Sequence, residues 1–315
     1  MGAIDLRPDR DVDDFWAITS YFNPAGYRNK YTNYQQFRKH LALPLMAIEL
    51  SYGPDFELKD NDAEIVLRRR GRDVLWQKER LLNIALAALP SRCRRVAWLD
   101  CDVIFESRDW PWQTRNQLDR FALVQLFSHV YWLPQGCGPD QERPPNAELR
   151  NSVPFLIAAG IPTAECLGSP APGSKGTPGY AWAANRGILD SHGLYDACIV
   201  GGGDRAVVRA AYGHFEDDAL RLQYLDRDHY LAWAMPFHRA VRSNVGHVAG
   251  NLLHLWHGDK SNRGYLERHL DLAKFGFNPA TDIAADYDDV WRWNSDKPAM
   301  HKSVRDYFGS RREDG

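Results

Sequence analysis

The chain has 315 residues, 44% of them hydrophobic, which is enough for one large or two small domains around a substantial core. Its 39 basic and 41 acidic residues leave a formal net charge of -2, which argues against broad electrostatic binding to nucleic acid or a membrane surface. The five cysteines are odd in number and contain no C-x-x-C pair, so they favour reduced thiols in a cytoplasmic protein over disulfides or a zinc site.

The first 130 residues alternate between strand and helix signals, which indicates an α/β layer around a largely parallel sheet. Two helices are expected, one over 31–40 and one that begins at Asp73 as its cap and ends before Pro90. The expected strands of this half cover 15–22, 44–50, 63–67, 96–105 and 121–127.

The second half begins with a long segment, 134–178, that is rich in proline, glycine and serine. An irregular segment of this length is usually either disordered or a functional lid or binding loop. After it we expect strands at 179–185 and 247–256, with a helix at 186–192, a glycine loop that opens a second helix, and a final helix beyond the late strand. Residues 311–315 are expected to fray. No clean linker divides the chain, so we expect one domain with two halves and no membrane-spanning segment.

The most informative stretch is the apolar strand that runs into Asp100 and Asp102. Strand alternation predicts that both carboxylates project to the same side, with Cys101 opposite. Two like charges this close are costly to bury without a cation, and Mg²⁺ or Mn²⁺, completed by substrate phosphates, is the natural partner. Ligands of open α/β sheets bind beyond the carboxyl ends of strands, which is where this pair lies. Two exposed acids in a turn are the plain alternative.

Four segments, taken in order, resemble nucleotide-sugar-dependent glycosyltransferases of the GT-A fold, and most closely the inverting β-1,4-galactosyltransferase family. They are a basic helix with Leu81-Leu82-Asn83, then Asp100-Cys101-Asp102, then Gly179-Tyr180-Ala181-Trp182 with Gly201-Gly202-Gly203-Asp204, and last His254 to Asn262. That family shows L-L-N, D-x-D, a W-G-G-E-D loop, and M-x-x-H followed by D-K and Asn. The likeness spans about 75–262.

The resemblance implies a GT-A type fold, with a Rossmann-like, mostly parallel sheet flanked by helices, in a single domain over 1–315. It implies a nucleotide-sugar-binding half at about 15–130 and an acceptor and metal half at about 179–275. The segment 134–178 would then be a long loop or lid, and 276–315 a C-terminal helical extension.

The resemblance also implies a divalent metal, Mn²⁺ or Mg²⁺, bound to the diphosphate of a UDP-sugar. Asp102 matches the metal-binding acid, whereas Asp100 would lie nearer the ribose and is a further candidate ligand. His257 matches the metal histidine of the family, and His254 stands where the family has a methionine. Histidines three residues apart do not share a face by simple alternation, so a structural role for one of them stays open. His247, in a V-G-H sequence, is a third candidate.

Asp204 matches the first acid of the glycine-rich loop, but Arg205 replaces the second acid. A carboxylate after three glycines at a helix start is well placed to act as a general base, because the glycines let an acceptor approach the backbone closely. The alternative is a tight turn with Asp204 as N-cap. Glu216, Asp217 and Asp218 are the next candidates for the base.

Further candidates for binding the donor follow from the resemblance or from helical spacing. Surface solvation is the alternative for Lys78, Arg80 and Asn83, a tight turn for the glycines, and core packing for Trp182. They are Thr19, Tyr21, Asn23, Lys78, Arg80, Asn83, Asp100, Trp182, Gly202, Gly203, Lys260 and Arg263.

The sequence therefore predicts a metal-dependent inverting glycosyltransferase that moves a hexose from a UDP-sugar to an acceptor hydroxyl or amine, with Asp204 as the candidate base. The acceptor stays open among a glycan, a lipid, a protein, a metabolite and a modified nucleobase. A nucleotidyltransferase that uses Asp100 and Asp102, a haloacid dehalogenase-type phosphatase and a catalytically silent sugar-binding protein are the alternatives. Ile104 and Val208 depart from the phosphatase pattern, whereas Arg205 keeps the silent protein open.

Overall fold

The strands predicted before residue 130 build most of the central sheet in the computed structural model, which describes residues 14–167, 176–216 and 226–315. The elements of the first range are β1 (Phe15–Phe22), α1 (Arg28–His40), β2 (Leu45–Ser51), β3 (Ile65–Arg70), α2 (Lys78–Ala88), β4 (Arg95–Leu99), β5 (Val103–Phe105), α3 (Trp110–Leu118), β6 (Leu123–Gln125), β7 (His129–Trp132), β8 (Glu148–Ser152), α4 (Val153–Ala158) and α5 (Thr163–Leu167).

Those of the other two ranges begin with β9 (Gly176–Thr177), β10 (Ala181–Asn185), α6 (Arg186–His192), α7 (Gly203–Tyr212), α8 (Arg227–Val241), β11 (Val245–His247) and β12 (Asn251–His254). A 3-10 helix (Lys260–Arg263), α9 (Glu267–Lys274), α10 (Pro279–Asp282), β13 (Ile283–Ala285), β14 (Trp291–Trp293) and α11 (Pro298–Ser310) follow.

The central sheet has the strand order β11-β6-β10-β4-β1-β2-β3 within the described residues. Every pairing in it is parallel except the two made by β10, which runs antiparallel to β4 and to β6. The predicted class, an α/β fold with a mostly parallel sheet flanked by helices, is therefore confirmed.

Side chains of β1 alternate between two hydrophobic cores, one on each face of this sheet. Trp16 and Ile18 pack into the core that includes α2, whereas Phe15 and Ala17 pack into the core that includes α1 and α3. Each fully buried aliphatic or aromatic side chain of this kind contributes roughly 1.5–3 kcal/mol. Helices thus cover both faces, which is why the central strands read as continuous apolar runs.

A second sheet has the order β5-β12-β7-β8-β9 and shares a core with the central one. Val103 and Leu252 of the second sheet lie in the same buried cluster as Ala97 and Leu99 of β4. The two long strands predicted over 96–105 and 247–256 are therefore wrong, since each divides between the sheets, into β4 and β5 and into β11 and β12.

The break in the first of these strands occurs at Asp100, Cys101 and Asp102, which form a turn between β4 and β5. Strand alternation consequently does not apply to the two carboxylates. The turn is fixed by backbone hydrogen bonds, in which the Asp100 N–H donates to Tyr180 O (2.8 Å) and the Leu255 N–H donates to Asp102 O (2.9 Å).

Two further expectations from the sequence are wrong in detail. The second helix begins at Lys78 rather than at Asp73, because the Asp73 carboxylate instead accepts from the Trp293 N–H (2.9 Å). Residues 311–315 do not fray as a group, since Arg311 is 6% and Glu313 3% exposed.

The segment 134–178 contains β8, α4, α5 and β9, and its residues 168–175 lie outside the described part of the chain. Its role as a lid stays a prediction. Over the described ranges, no helix combines the length and the apolar character that crossing a membrane requires.

Candidate active site

Lys78, the first residue of α2, lies between two carboxylates that are far apart in the sequence. Its Nζ is 2.5 Å from Asp100 Oδ1 and 2.9 Å from each carboxylate oxygen of Asp204. The lysine side chain is only 9% exposed. The end of β4, the start of α2 and the start of α7 therefore meet at one buried ammonium group, which offsets the repulsion between Asp100 and Asp204.

Asp204 reaches this position because the chain before it consists of glycines. Gly202 is the N-cap of α7 and has a φ of 108°, in the left-handed region that glycine adopts without strain. A Cβ on Gly203 would overlap the Glu79 carboxyl group, and one on Gly179 would lie 3.2 Å from Asp204 Oδ2. Asp204 itself is the second residue of the helix and its carboxylate faces Lys78, so the alternative that it is the N-cap is wrong.

The electrostatics of this cluster suit proton transfer. Burial raises the pKa of Asp100 and of Asp204 above the usual range. The charge of Asp102 adds to the rise at Asp100, and that of Asp100 adds to the rise at Asp204, while Lys78 opposes the rise at both. A carboxylate with a raised pKa is a stronger base than an exposed one, and it stays ionised here because an ammonium group is within hydrogen-bond distance.

Glu79 lies behind the glycine loop and is 3% exposed. Burial raises its pKa to about 8. Between pH 4.5 and 8 the folded protein therefore holds a proton on Glu79 that the unfolded chain has released, and stability falls as the pH rises through this window. We expect Glu79→Gln, which is neutral throughout, to lack this loss of roughly 1 kcal/mol per pH unit.

The test is thermal or urea unfolding of both proteins from pH 4.5 to 8, with the exposed Glu142→Gln as the matched control. The stability difference between Glu79→Gln and the wild type should grow with pH, and that for Glu142→Gln should stay flat. A difference for Glu79→Gln that did not change with pH would contradict the assignment of a raised pKa to Glu79.

A second cluster lies two residues beyond Asp100 in the same turn. The Nε2 atom of His257 is 3.5 Å from Asp102 Oδ2, and that of His254 is 3.9 Å from Asp102 Oδ1. One ligand atom from each of the three residues lies within 4.8 Å of the others, and this is the metal-binding arrangement found among the described residues.

The donor set of this cluster fits a divalent cation. Asp102 Oδ1 is buried and has no hydrogen-bond partner among the described residues, so it is free to accept a cation. The Nδ1 of His257 lies 3.0 Å from Leu255 O, which places the proton on Nδ1 and leaves the lone pair of Nε2 facing Asp102. Burial, reinforced by Arg263, lowers the pKa of His254 and His257 well below the usual value, so both imidazoles are neutral, as metal ligands must be.

Both histidines face Asp102 because the chain turns after β12. His254 ends that strand, and the imidazole ring of His257 returns to 4.6 Å from that of His254, centroid to centroid, at 82°. Simple strand alternation therefore does not describe these two histidines, and a structural role for one of them stays open. His247 lies apart from this cluster, in β11, where its ring contacts that of Phe155 at 5.5 Å. Which of the three binds metal stays a prediction.

Tyr180 connects the two clusters. The sequence analysis named it only as part of a motif and predicted no role for it. Its φ of 81° is unusual for a residue with a side chain. Its carbonyl accepts from the Asp100 N–H, and its ring lies 4.8 Å from that of His254, which in turn lies 4.9 Å from the Trp132 ring. No local sequence signal distinguishes a tyrosine held in this conformation.

The polar residues at the end of β1 are engaged within the protein. The Thr19 hydroxyl is fully buried and donates to Leu99 O (2.7 Å). The Tyr21 hydroxyl donates to Glu57 Oε2 (2.6 Å), and Asn23 Nδ2 donates to Glu57 Oε1 (2.9 Å). These contacts hold the loop around Glu57, and a role in nucleotide binding stays a prediction for all three.

Residues on α2 and β10 that were candidates for the donor also have structural partners. Arg80 Nη1 lies 3.4 Å from Asp196 Oδ2, and Asn83 Nδ2 donates to Leu194 O (2.9 Å). Trp182 is 1% exposed and its ring stacks on that of Trp98, so the core-packing alternative describes its position.

Lys260 and Arg263, in contrast, lie beside the histidines. Lys260 Nζ is 3.8 Å from the centroid of the Trp132 ring and forms an ion pair with Glu148. Arg263 Nη2 donates to His257 O (2.8 Å). Two cations thus border the candidate metal site on its 3-10 helix side.

No protein-family model matches the chain, and no curated protein matches it significantly. Among solved structures, it is similar to the mannosyltransferase PcManGT from Pyrobaculum calidifontis in complex with GDP-Man and Mn²⁺, at 12% identity and a TM-score of 0.40 over 83% of this chain and 63% of that one. It is also similar to S. aureus TarS in complex with UDP-GlcNAc, at 10% identity and a TM-score of 0.33 over 61% of this chain and 51% of that one.

A third similar structure is a mutant of Drosophila β1,4-galactosyltransferase 7 in complex with manganese, UDP-Gal and xylobiose, at 10% identity and a TM-score of 0.32 over 62% of this chain and 58% of that one. The chain therefore matches less than two thirds of the length of each of these three proteins. At such identities and TM-scores the likeness identifies neither a family nor an activity, and the case for a function depends on the site.

Proposed function

We propose that this chain is a metal-dependent, inverting glycosyltransferase of the GT-A type that transfers a hexose from a UDP-sugar to an acceptor hydroxyl or amine. One observation carries the proposal. The Asp102, His254 and His257 cluster and the Lys78, Asp100 and Asp204 cluster lie on one turn at the carboxyl end of β4. A candidate cation site beside a candidate base, at the sheet edge where α/β proteins bind ligands, supports transfer of a group from a phosphorylated donor.

The roles follow from the charges. Asp102, His254 and His257 would hold Mn²⁺ or Mg²⁺, which offsets the charge of the diphosphate as it leaves. Lys260 and Arg263 border the same place and stabilise the developing negative charge by proximity.

Asp204 receives the proton of the acceptor while that acceptor attacks the anomeric carbon. The bond from that carbon to the diphosphate oxygen breaks in the same displacement, UDP leaves with the electron pair, and the anomeric configuration is inverted. Lys78 keeps the Asp204 carboxylate ionised and fixes its orientation beside Asp100. Asp100 would lie nearer the ribose.

A thermal-shift panel of nucleotide sugars, each with Mn²⁺, tests this function. A ligand at about 100 times its Kd stabilises the folded state by about 2.7 kcal/mol, which raises the melting temperature measurably. We expect UDP-sugars to raise it only when the metal is present, and UDP to be released on turnover. Release of pyrophosphate from a nucleoside triphosphate would instead identify a nucleotidyltransferase, and binding of the donor without any turnover would identify a silent sugar-binding protein.

His257→Ala is expected to raise the metal concentration needed for half-maximal activity by about 10- to 100-fold, because it removes one neutral imidazole from the candidate ligand set. His254→Ala should have a smaller effect in the same direction. The measurement is a Mn²⁺ titration of activity for each variant, and His247→Ala is the matched control. Unchanged titrations for both His254→Ala and His257→Ala, together with a shifted one for His247→Ala, would move the ligand to His247.

The location of the protein is proposed to be cytoplasmic. All five cysteines are free thiols, and four of them are buried. Such thiols persist in a reducing compartment.

A further inference from the structure

Residues 311–314, which follow α11, lie across the start of α1. The Arg312 N–H donates to the Tyr27 hydroxyl (3.0 Å), and the Asp314 carboxylate accepts from the Asn29 N–H (2.8 Å). We refer to these four residues as the 311–314 segment. Its fixed position contrasts with the fraying expected from the sequence.

The 311–314 segment also contacts the loop that immediately follows the candidate metal ligand His257. A Cβ on Gly258 would lie 2.7 Å from Arg311 O and 2.9 Å from Arg312 O, so the backbone of the segment packs directly on that glycine. The segment therefore reaches the edge of the candidate metal site.

Glu313 is the one acidic side chain that the segment buries, at 3% exposed among the described residues. Its Oε1 accepts from Arg311 Nε at 2.6 Å. Burial raises the pKa of Glu313, but Arg311, Lys30 and Arg263 outweigh burial and lower it, so the carboxylate is ionised. Arg311 pairs directly with this buried anion, and Lys30 on α1 and Arg263 on the 3-10 helix act on it at longer range.

The same groups act on the candidate metal site. Burial raises the pKa of Asp102. The charges of Lys30 and Arg263 lower it, and that of Glu313 raises it. Arg263 also donates to the carbonyl of His257. Lys30 and Arg263 therefore act on both Glu313 and Asp102, and the Glu313 backbone packs on Gly258, the residue that follows His257.

We propose that Glu313 occupies the anion pocket in which the diphosphate of the donor binds, so that the 311–314 segment competes with the nucleotide and moves aside when it binds. Lys30 on α1 and Arg263 on the 3-10 helix remain behind and pair with the phosphates, whereas Arg311 leaves with Glu313. This inference rests on the proposed function, because it names the residues that receive the diphosphate of that donor. It adds to that function an autoinhibitory contact within the chain.

The first test compares the wild type with Glu313→Gln, which preserves the size of the side chain and removes its charge. The binding of UDP with Mn²⁺ and of inorganic pyrophosphate with Mg²⁺ is measured by calorimetry. We expect both ligands to bind Glu313→Gln about five- to tenfold more tightly, since a competitor that occupies the pocket reduces the apparent affinity by the fraction of time it is bound. Asp306→Asn is the matched control, because it removes one negative charge from an exposed position on α11 and should leave both affinities unchanged.

The second test uses the wild type alone, so it does not depend on how a variant folds. Hydrogen exchange of the backbone amides of the 311–314 segment is followed with and without UDP and Mn²⁺. The Arg312 N–H is hydrogen-bonded to Tyr27 in the present arrangement, and we expect its exchange to become faster when UDP binds.

The outcomes separate this inference from the proposed function. The inference is overturned if exchange becomes slower when UDP binds, or if both ligands bind Glu313→Gln no more tightly than the wild type. In that case metal-dependent binding of UDP to the wild type would still support the proposed function. Tighter pyrophosphate binding by the variant without any UDP binding keeps the anion pocket and overturns the function. If neither ligand binds either protein, both are overturned.

Discussion

Asp102→Ala should abolish the metal-dependent binding of UDP and leave the protein folded. Asp102 supplies the carboxylate of the candidate metal cluster, and without it two neutral imidazoles face a diphosphate that is itself anionic and needs a cation to approach. We expect UDP affinity in the presence of Mn²⁺ to fall by at least about 100-fold, because removal of even an outer-shell partner of a metal ligand typically costs 10- to 100-fold. Calorimetry with and without chelator measures the effect.

Asp102→Asn serves as a second variant, since it keeps the shape of the side chain in a buried position where Oδ1 lacks a hydrogen-bond partner among the described residues. Asp60→Asn is the control for loss of one charge, because Asp60 is exposed and pairs only with Arg68 in the described structure. The prediction would fail if wild-type protein bound UDP equally well in excess chelator.

Asp204→Asn should retain binding of the donor and the metal but lower turnover by roughly 10²- to 10⁴-fold, the usual contribution of a general base. The amide keeps an oxygen that Lys78 can donate to, so the cluster keeps its geometry while losing the group that accepts the proton. The loss should appear in kcat rather than in KM, because proton removal matters only in the transition state. Steady-state kinetics with saturating metal test this.

Asp190→Asn is the matched control, an exposed aspartate on α6 that pairs with Arg186 and is expected to leave kcat unchanged. A near wild-type kcat for Asp204→Asn would place the base elsewhere. Of the other candidates named from the sequence, Glu216 has a side chain that is 92% exposed and pairs with Arg227, and Asp217 and Asp218 lie outside the described residues.

Local patterns in the sequence were sufficient to predict the sheet but not where its strands divide. The apolar runs that became β1, β2 and β4 carry their own signal, because a strand covered on both faces must be apolar throughout. The division of 96–105 at the Asp100–Asp102 turn has no such signal, since Val103, Ile104 and Phe105 are as apolar as the strand before them. Which sheet they join depends on β12, about 150 residues later in the chain.

The sequence predicted those site residues that belong to a continuous motif. It did not predict those that come together only because distant parts of the chain pack against each other. Asp102 and His257 were singled out from the D-x-D and histidine motifs, and the structure brings them together. Lys30 and Glu313 carry no motif, and their proximity depends on how the end of the chain packs on α1. Glu79 was likewise missed, because its raised pKa comes from burial under Gly203, which only the folded structure reveals.

The Asp100–Asp102 turn leaves one sheet through β4 and enters the other through β5, so a ligand that contacts both aspartates is held by both sheets at once. Thermodynamic linkage is reciprocal. If a fixed orientation of the two sheets increases the affinity for such a ligand, then binding of the ligand stabilises the contact between the sheets by the same free energy. A cavity made in the shared core, at Val103 or Leu252 for example, would lower the affinity for that ligand without removing a contact to it. The affinity of the site for its ligand therefore depends on the stability of the packing between the two sheets.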